Sequence, residues 1–315
     1  VWGLAAIIGP NVGGVVTHFF SWHWIFAANV PLALVVIALA QRYVPTAAAR
    51  VRGPLDVAGI GVLALGLLGV MVGLTRIDTR AVTFGSGVTY SALGVAVLAF
   101  VALVPIERRA AAPVISPQLF ASRQLVVTYV LEIFIGLLEG ALFFIPAALV
   151  AAEHITALTA GAIAAIGALS FVIVIPLAGR ALDAFGSRNV LLAGATLTAA
   201  GLALFAASLA TLWVAIAAIA LAGIGFGALL GAPTRYIITN EVPPSSRATA
   251  VGLLSVFLII GQIFGGSLAG GAIGGRLDDA GAYRLAYEIF AAVAILTAGA
   301  TLLLASPTAE RKAPM

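Results

Sequence analysis

The chain has few charged residues and no cysteine. Only 9% of its 315 residues are Asp, Glu, Lys or Arg, whereas 62% are hydrophobic, and Cys is absent. This shortage of charge excludes a water-soluble globule of this length, because polar side chains could not cover its surface. The absence of Cys excludes disulfides and thiolate metal sites. The composition therefore predicts an integral membrane protein, and no cofactor is expected.

Long apolar runs take up most of the chain. Lipid cannot hydrogen-bond to the backbone, so spanning segments must be helices or closed barrels, and barrels show short alternating segments instead of long runs. The runs here approach the length of about 20 residues that a spanning helix needs. The sequence predicts an all-α, polytopic membrane helix bundle of about ten transmembrane helices. Their predicted bounds are 1–17, 24–41, 55–75, 85–105, 124–151, 158–179, 189–208, 211–239, 248–273 and 285–305.

The basic residues fall mainly on one side of the predicted membrane. The positive-inside rule makes that side cytoplasmic, and the alternation of rich and poor loops supports the helix count. The net charge of +4 then follows from topology and from attraction to anionic lipid, so the bilayer is a partner and nucleic acid is not. The cytoplasmic set is Arg42, Arg50, Arg52, Arg108, Arg109, Arg123, Arg180, Arg188, Arg235, Arg247, Arg311 and Lys312; the outer set is Arg76, Arg80, Arg276 and Arg284.

A glycine-rich stretch, "GLAAIIGPNVGG" at residues 3–14, lies inside the first predicted helix. Gly9, Pro10, Gly13 and Gly14 leave one helix face almost without side chains, so another backbone can approach, and the proline adds a kink. The alternative is a small-residue packing face of the kind that many membrane proteins have. The next stretch, "SWHWIFAANVP" at residues 21–31, makes the pattern more specific. Together they resemble the fifth and sixth helices of drug/proton antiporters of the major facilitator superfamily, in its fourteen-spanner branch.

The resemblance continues along the chain. "RGPLDVAGI" at 52–60, the proline-containing connection 107–124 and "EVPPSSRATAVGLL" at 241–254 follow in the family's order. Four positions depart from its pattern: His23 and Gln262 stand where Arg is frequent, and Ala148 and Val150 replace the aromatic residue and the Gln expected after Pro146. The resemblance also implies a cytoplasmic loop motif that latches one conformation; the alternative for these residues is a solvated loop of topogenic charge. The motif residues are Gly179, Arg180, Asp183, Gly186 and Arg188.

The resemblance implies a domain organisation with a missing part. Residues 1–43 would be the last two helices of the N-terminal bundle, 44–106 an extra helix pair, and 107–124 a cytoplasmic linker. Residues 125–306 would form a complete C-terminal six-helix bundle and 307–315 a cytoplasmic tail. Four helices before the first would be absent, so the chain is expected to be a fragment or truncated product of a fourteen-helix transporter.

Two acidic residues lie within one predicted membrane helix. Glu132 and Glu139 are seven residues apart, so they share a helix face at a separation of about 10 Å along the axis. Ionisable groups inside the bilayer are costly and usually functional. Because low dielectric favours a neutral carboxyl, either residue could carry a proton or pair with a cationic substrate. The alternative for Glu132, which is nearer the cytoplasmic end, is a wetted or salt-bridged structural role.

Other polar and glycine-rich features have simpler interpretations. Arg235 is expected to pair with Glu241 or with lipid phosphate, and Glu288 to lie near the outer surface as a capping or snorkelling residue. The histidines lack ligand spacing, so no metal site is predicted. The stretch "GIGFGALLGAP" at 223–233 resembles a phosphate loop, but no GK[ST] follows it. Its place inside an apolar helix predicts a close-packing face.

Three functions remain in view. The first is proton-coupled export of small amphipathic or cationic compounds by alternating access, with protons and the compound as partners. The second is a facilitator or importer of another solute on the same fold. The third is a truncated product without transport. An enzyme is not expected, because HExxH, GxSxG and paired catalytic histidines are absent.

Overall fold

The computed structural model describes most of the chain as helix. The described residues are 23–43, 56–75, 87–110, 117–209, 211–244 and 246–305, with Val16, Phe20 and Ser21. Within them every regular element is helical, which confirms the all-α prediction. The predicted helix 1–17, apart from Val16, and the tail 307–315 lie outside the described residues.

Nine of the ten predicted segments fall in the described part of the chain, and each is helical there. Within the described ranges, eight helical segments are long and apolar enough to cross a membrane, and a shorter apolar helix spans Val57–Gly73. The helices are α1 His23–Tyr43, α2 Val57–Thr75, α3 Gly87–Arg109, α4 Arg123–Leu142, α5 Ile145–Glu153, α6 Ala157–Phe185, α7 Ser187–Ala207, α8 Leu212–Leu229, α9 Pro233–Glu241, α10 Arg247–Ile273 and α11 Ala280–Thr301; a 3₁₀ turn covers Pro117–Phe120.

Two of the predicted spans, 124–151 and 211–239, contain a short break in the helix, although each still forms one candidate membrane span, Arg123–Glu153 and Leu212–Glu241. The first stops at Leu142 and resumes at Ile145, and the second stops at Leu229 and resumes at Pro233. A proline lies in the first turn of each second half: Pro146 is the second residue of α5, and Pro233 is the first residue of α9. Proline has no N–H and its ring clashes with the carbonyl four residues earlier, so it favours a break at these two places.

The chain divides into two units, residues 1–55 and 56–315. In the first unit, α1 has no buried side chain. In the second, α2 packs against α3, α4 against α10, and α8 against both α6 and α7. The main core of this unit includes Leu131, Ile135, Phe205, Tyr287 and Phe290, all nearly inaccessible. The predicted domain boundaries stay a prediction.

Helix α8 packs against its neighbours through glycines. A Cβ on Gly227 would lie 2.7 Å from the Phe171 carbonyl oxygen of α6, and one on Gly223 would collide with the Gly167 carbonyl of the same helix. A Cβ on Gly225 would instead collide with the backbone of Thr198 on α7. The glycine-rich stretch therefore contacts two helices with opposite faces, which confirms the predicted close-packing role.

Candidate functional site

Both predicted membrane carboxylates lie on α4 and are buried. Ser122 caps the helix by accepting a 3.1 Å hydrogen bond from the Leu125 N–H, which fixes where α4 begins. Glu132 is 5% exposed and Glu139 is 8% exposed. The apolar residues around them give little compensation for a charge, so each depends on polar partners that other helices supply.

Helices α4 and α10 meet along a seam of four glycines, Gly136 and Gly140 on α4 with Gly261 and Gly265 on α10. A Cβ on Gly140 would lie 2.7 Å from the Gly266 N, and one on Gly265 would collide with the Leu137 carbonyl. The two backbones therefore touch directly. We call this contact the α4–α10 seam.

Glu139 lies within the α4–α10 seam and is hydrogen-bonded across it. The Gln262 side chain donates from Nε2 to Glu139 Oε2 at 2.7 Å. The glycines permit this short distance, because a side chain at those positions would collide with the facing backbone. In the described residues no Lys or Arg is within ion-pair distance of Glu139. Its polar partner is therefore a neutral amide, identified from sequence only as a departure from the family pattern.

Glu132 has different partners, which the second half of a broken helix provides. The Thr234 hydroxyl of α9 donates a hydrogen bond to it, and Arg235 attracts its charge. Glu132 and Glu139 repel each other when both are ionised. Thr234 and Arg235 follow the break before Pro233 and lie near Glu132. Local sequence patterns do not identify Thr234 as a partner of Glu132.

Of the two partners expected for Arg235, Glu241 is not paired with it in the described residues, and the contact with lipid phosphate stays a prediction. The two side chains form no ion pair within the described part of α9. They are six residues apart, which separates them by about 240° around the helix axis. Glu288, by contrast, accepts a 2.9 Å hydrogen bond from Arg284 Nε, and both side chains are at least half exposed. That pair is consistent with a surface role.

The break between α4 and α5 is held by α11. The Tyr287 hydroxyl donates to the Ala141 carbonyl oxygen at 3.1 Å, and the Phe144 N–H donates to the same oxygen at 3.1 Å. The Tyr287 ring packs edge-on against Phe205, with ring centroids 4.7 Å apart. The helix end that carries Glu139 is thus fixed two residues beyond this carboxylate.

The residues of the predicted cytoplasmic latch lie around the turn from α6 to α7. Gly186 alone connects the two helices, and its φ of 80° favours glycine. Arg180 and Asp183 are exposed, whereas Arg188 is half-buried. A Cβ on Gly179 would meet no atom within 4 Å. The positive φ explains why glycine occupies position 186. The role of these residues as a latch stays a prediction.

The structure does not describe the predicted antiporter motif, and no metal site is predicted. Gly9, Pro10, Gly13 and Gly14 of the predicted antiporter motif lie outside the described residues. In the part of the chain that the structure describes, no group of three or more His, Cys, Asp or Glu could hold a metal ion.

Comparisons with known proteins place this chain among transporters by name. A relative from Bacillus subtilis strain 168, the uncharacterized MFS-type transporter YfiU, is 30% identical over 89% of this chain and 55% of its own length. The multidrug transporter protein MdtP of the same strain is 24% identical over 88% and 51%. The riboflavin transporter RibZ of Clostridioides difficile strain 630 is 24% identical over 78% and 53%. The chain spans about half the length of these curated relatives.

A family model covers more than half of the chain. It matches residues 128–314, which include most of α4 and all of α5 to α11, and its description is Major Facilitator Superfamily. The carboxylates on α4, their partners on α9 and α10 and the turn at Gly186 all lie within the match. The chain is an integral, multi-pass membrane protein, and it belongs to the Major Facilitator Superfamily.

Proposed function

We propose that the chain serves proton-coupled export of small amphipathic or cationic compounds across a bacterial inner membrane, by alternating access. The proposal places it in the fourteen-spanner drug/proton antiporter branch. The observation that carries it is Glu139, a buried carboxyl on a membrane-spanning helix whose hydrogen-bond partner is the neutral Gln262.

The chemistry of Glu139 favours proton exchange over a fixed charge. An ionised carboxylate inside the bilayer costs at least about 2.5 kcal/mol. A carboxyl that binds a proton becomes neutral, so this cost disappears. Proton binding therefore changes the relative free energies of two conformations in which the carboxyl has different access to water. A cationic compound beside the ionised carboxylate would give a similar compensation. Proton and compound would then compete for one group, which is the requirement of an antiporter.

Two further groups take part in this proposal. Glu132, close to the predicted cytoplasmic end of α4, is proposed as a second carboxyl that exchanges protons with the cytoplasmic side. The loop residues Arg180, Asp183 and Arg188 are proposed to hold one conformation through charge pairing at helix ends. Gly179 and Gly186 would give the loop motif its backbone geometry.

The relatives support the proposal and also a second candidate. MdtP is named a multidrug transporter, which favours drug export. RibZ is named a riboflavin transporter at the same 24% identity, so a facilitator or importer of another small solute is the second candidate. Substrate choice in this fold depends on the side chains of a cavity between two bundles.

The experiment uses everted membrane vesicles that contain the chain. We expect uptake of a lipophilic cation into these vesicles to require an imposed proton gradient, and Glu139→Gln to abolish this dependence without loss of folded protein. Glu288→Gln is the matched control, because it removes an exposed carboxylate from α11. Transport that proceeds equally without the gradient would contradict the antiport proposal and favour the facilitator.

A further inference from the structure

The amide of Gln262 is held against one carboxylate oxygen in a narrow place. Its Nε2 lies 2.7 Å from Glu139 Oε2. Gly261 and Gly265, on the same helix as Gln262, contact the backbone of α4 directly. Glu139 is 8% exposed, so water has little access to it. The two side chains come from positions 123 residues apart. This pairing is therefore a tertiary feature of the bundle.

An amide differs from other partners in its hydrogen-bonding capacity. It carries a donor NH₂ and an acceptor carbonyl oxygen on the same rotatable group. An ionised carboxylate only accepts hydrogen bonds, whereas a protonated carboxyl also donates one. Arg, with five donors and no acceptor, cannot accept the hydrogen bond that a protonated carboxyl donates. Gln can satisfy both forms.

We propose that Gln262 is a positioning residue that keeps Glu139 hydrogen-bonded in both of its protonation states. When Glu139 is ionised, the amide N–H donates to a carboxylate oxygen, as the structure shows. When a proton adds to a carboxylate oxygen, the amide rotates so that its Oε1 accepts the new O–H. Release of the proton reverses both changes. This inference rests on the proposed function of Glu139 in proton exchange.

The polar groups nearest to the Glu139–Gln262 pair have other partners, so the amide of Gln262 is the group that can fill this role. On α4 the next carboxylate is Glu132, whose partners are Thr234 and Arg235 of α9. On α11 the Tyr287 hydroxyl is engaged by the Ala141 carbonyl, and Arg284 and Glu288 pair with each other on an exposed face. The other titratable groups on α4 and the helices packed against it are Arg123 and Tyr129 on α4, Tyr236 and Glu241 on α9, Arg247 on α10 and Tyr283 on α11.

The test is infrared spectroscopy of the purified chain in lipid nanodiscs as a function of pH. The C=O stretching band of protonated Glu139 is identified as the band that Glu139→Gln removes. We expect Gln262→Leu to move this band to higher frequency, because the protonated carboxyl loses its acceptor. We also expect the proton affinity of Glu139 to change about tenfold, since hydrogen bonds to a charged group are stronger than those to a neutral one. A band with wild-type frequency and titration would overturn the proposal.

Two further variants distinguish a specific effect of Gln262 from misfolding. Gln124→Leu is the matched control: Gln124 also lies on α4 and accepts a 2.9 Å hydrogen bond from the Ala305 N–H, but far from Glu139 along the helix. It should leave the band unchanged. The exchange Glu139→Gln with Gln262→Glu places a carboxyl and an amide in the same seam with their sides reversed. We expect a titrating carboxyl band to return in this double variant, and its absence in folded protein would count against the proposal.

These measurements separate the inference from the proposed function. If Gln262→Leu shifts the band while the wild-type vesicles show no gradient-dependent transport, the pairing stands and the export proposal fails. If transport depends on the gradient and Gln262→Leu leaves the frequency and titration of the band unchanged, the export proposal stands and the proposed role of Gln262 is wrong. Gln262→Arg adds a direct check. It should keep Glu139 ionised and remove its C=O band at a pH where the wild type shows it.

Discussion

The α4–α10 seam and the glycine-lined contacts of α8 have similar packing and different chemistry. In the α4–α10 seam, Gly140 and Gly265 bring the backbones together around the Glu139–Gln262 hydrogen bond. In the contacts of α8 with α6 and α7, the polar side chain is Thr198, whose hydroxyl donates to the Gly194 carbonyl of its own helix at 2.9 Å. Close backbone approach is therefore a general packing device here. The carboxylate–amide pair is what distinguishes the first contact as a candidate site.

The largest expected effect comes from filling the apolar contact of α8. A methyl group at Gly223 would collide with the Gly167 carbonyl of α6, and the backbone cannot move aside as a flexible side chain can. We expect Gly223→Ala to lower the free energy of unfolding by about 1–3 kcal/mol. Circular dichroism during unfolding in mixed micelles measures this change.

The matched control is a glycine in open space. A Cβ at Gly252 on α10 meets no atom within 4 Å, so Gly252→Ala should be neutral or stabilise the protein by up to about 1 kcal/mol through better helix propensity. Equal effects of the two substitutions would show that close approach does not govern stability at α8.

The next effect separates the α4–α10 seam from the purely apolar contact. Glu139→Leu leaves the Gln262 amide without its partner, which costs about 1–3 kcal/mol for a buried polar group. Adding Gln262→Leu should recover part of this loss, because neither group is then left unsatisfied. A double-mutant cycle on unfolding free energies measures the coupling between the two positions. Additivity within about 0.5 kcal/mol would mean that the pair contributes no specific interaction.

The sequence predicted the parts of this site that depend on local periodicity. The seven-residue spacing of Glu132 and Glu139 correctly predicts one helix and a common side of it, because helical positions repeat every 3.6 residues. It could not predict Gln262 as the partner of Glu139, since 123 residues separate them. The branch of the family and the motif at Gly9 and Pro10 stay predictions.

Helix breaks show a second limit of sequence patterns. Pro31, Pro105 and Pro176 lie inside unbroken helices, whereas Pro146 is the second residue of a new helix. Proline frees a carbonyl in every case, so its presence alone does not decide between a continuous and a broken helix. At Pro146 a tyrosine from another helix satisfies a carbonyl at the break. That contact depends on tertiary packing and cannot be identified from local sequence.

The smallest expected effect concerns this tyrosine, which fixes the end of α4 beyond Glu139. Tyr287→Phe removes the hydroxyl that donates to the Ala141 carbonyl but keeps the ring against Phe205. We expect a loss of about 0.5–1.5 kcal/mol in unfolding free energy, the usual net value of one hydrogen bond. Tyr236→Phe, at an exposed position of α9, is the control and should leave stability unchanged.

The infrared band of Glu139 provides a second measurement on the Tyr287→Phe variant. If the hydroxyl only stabilises the break between α4 and α5, the band should keep its wild-type frequency while stability falls. If the break also sets the position of Glu139 against Gln262, the band should broaden, because the carboxyl then samples more than one hydrogen-bond geometry. The two outcomes separate a helix end that merely supports the fold from one that orients the carboxyl in the α4–α10 seam.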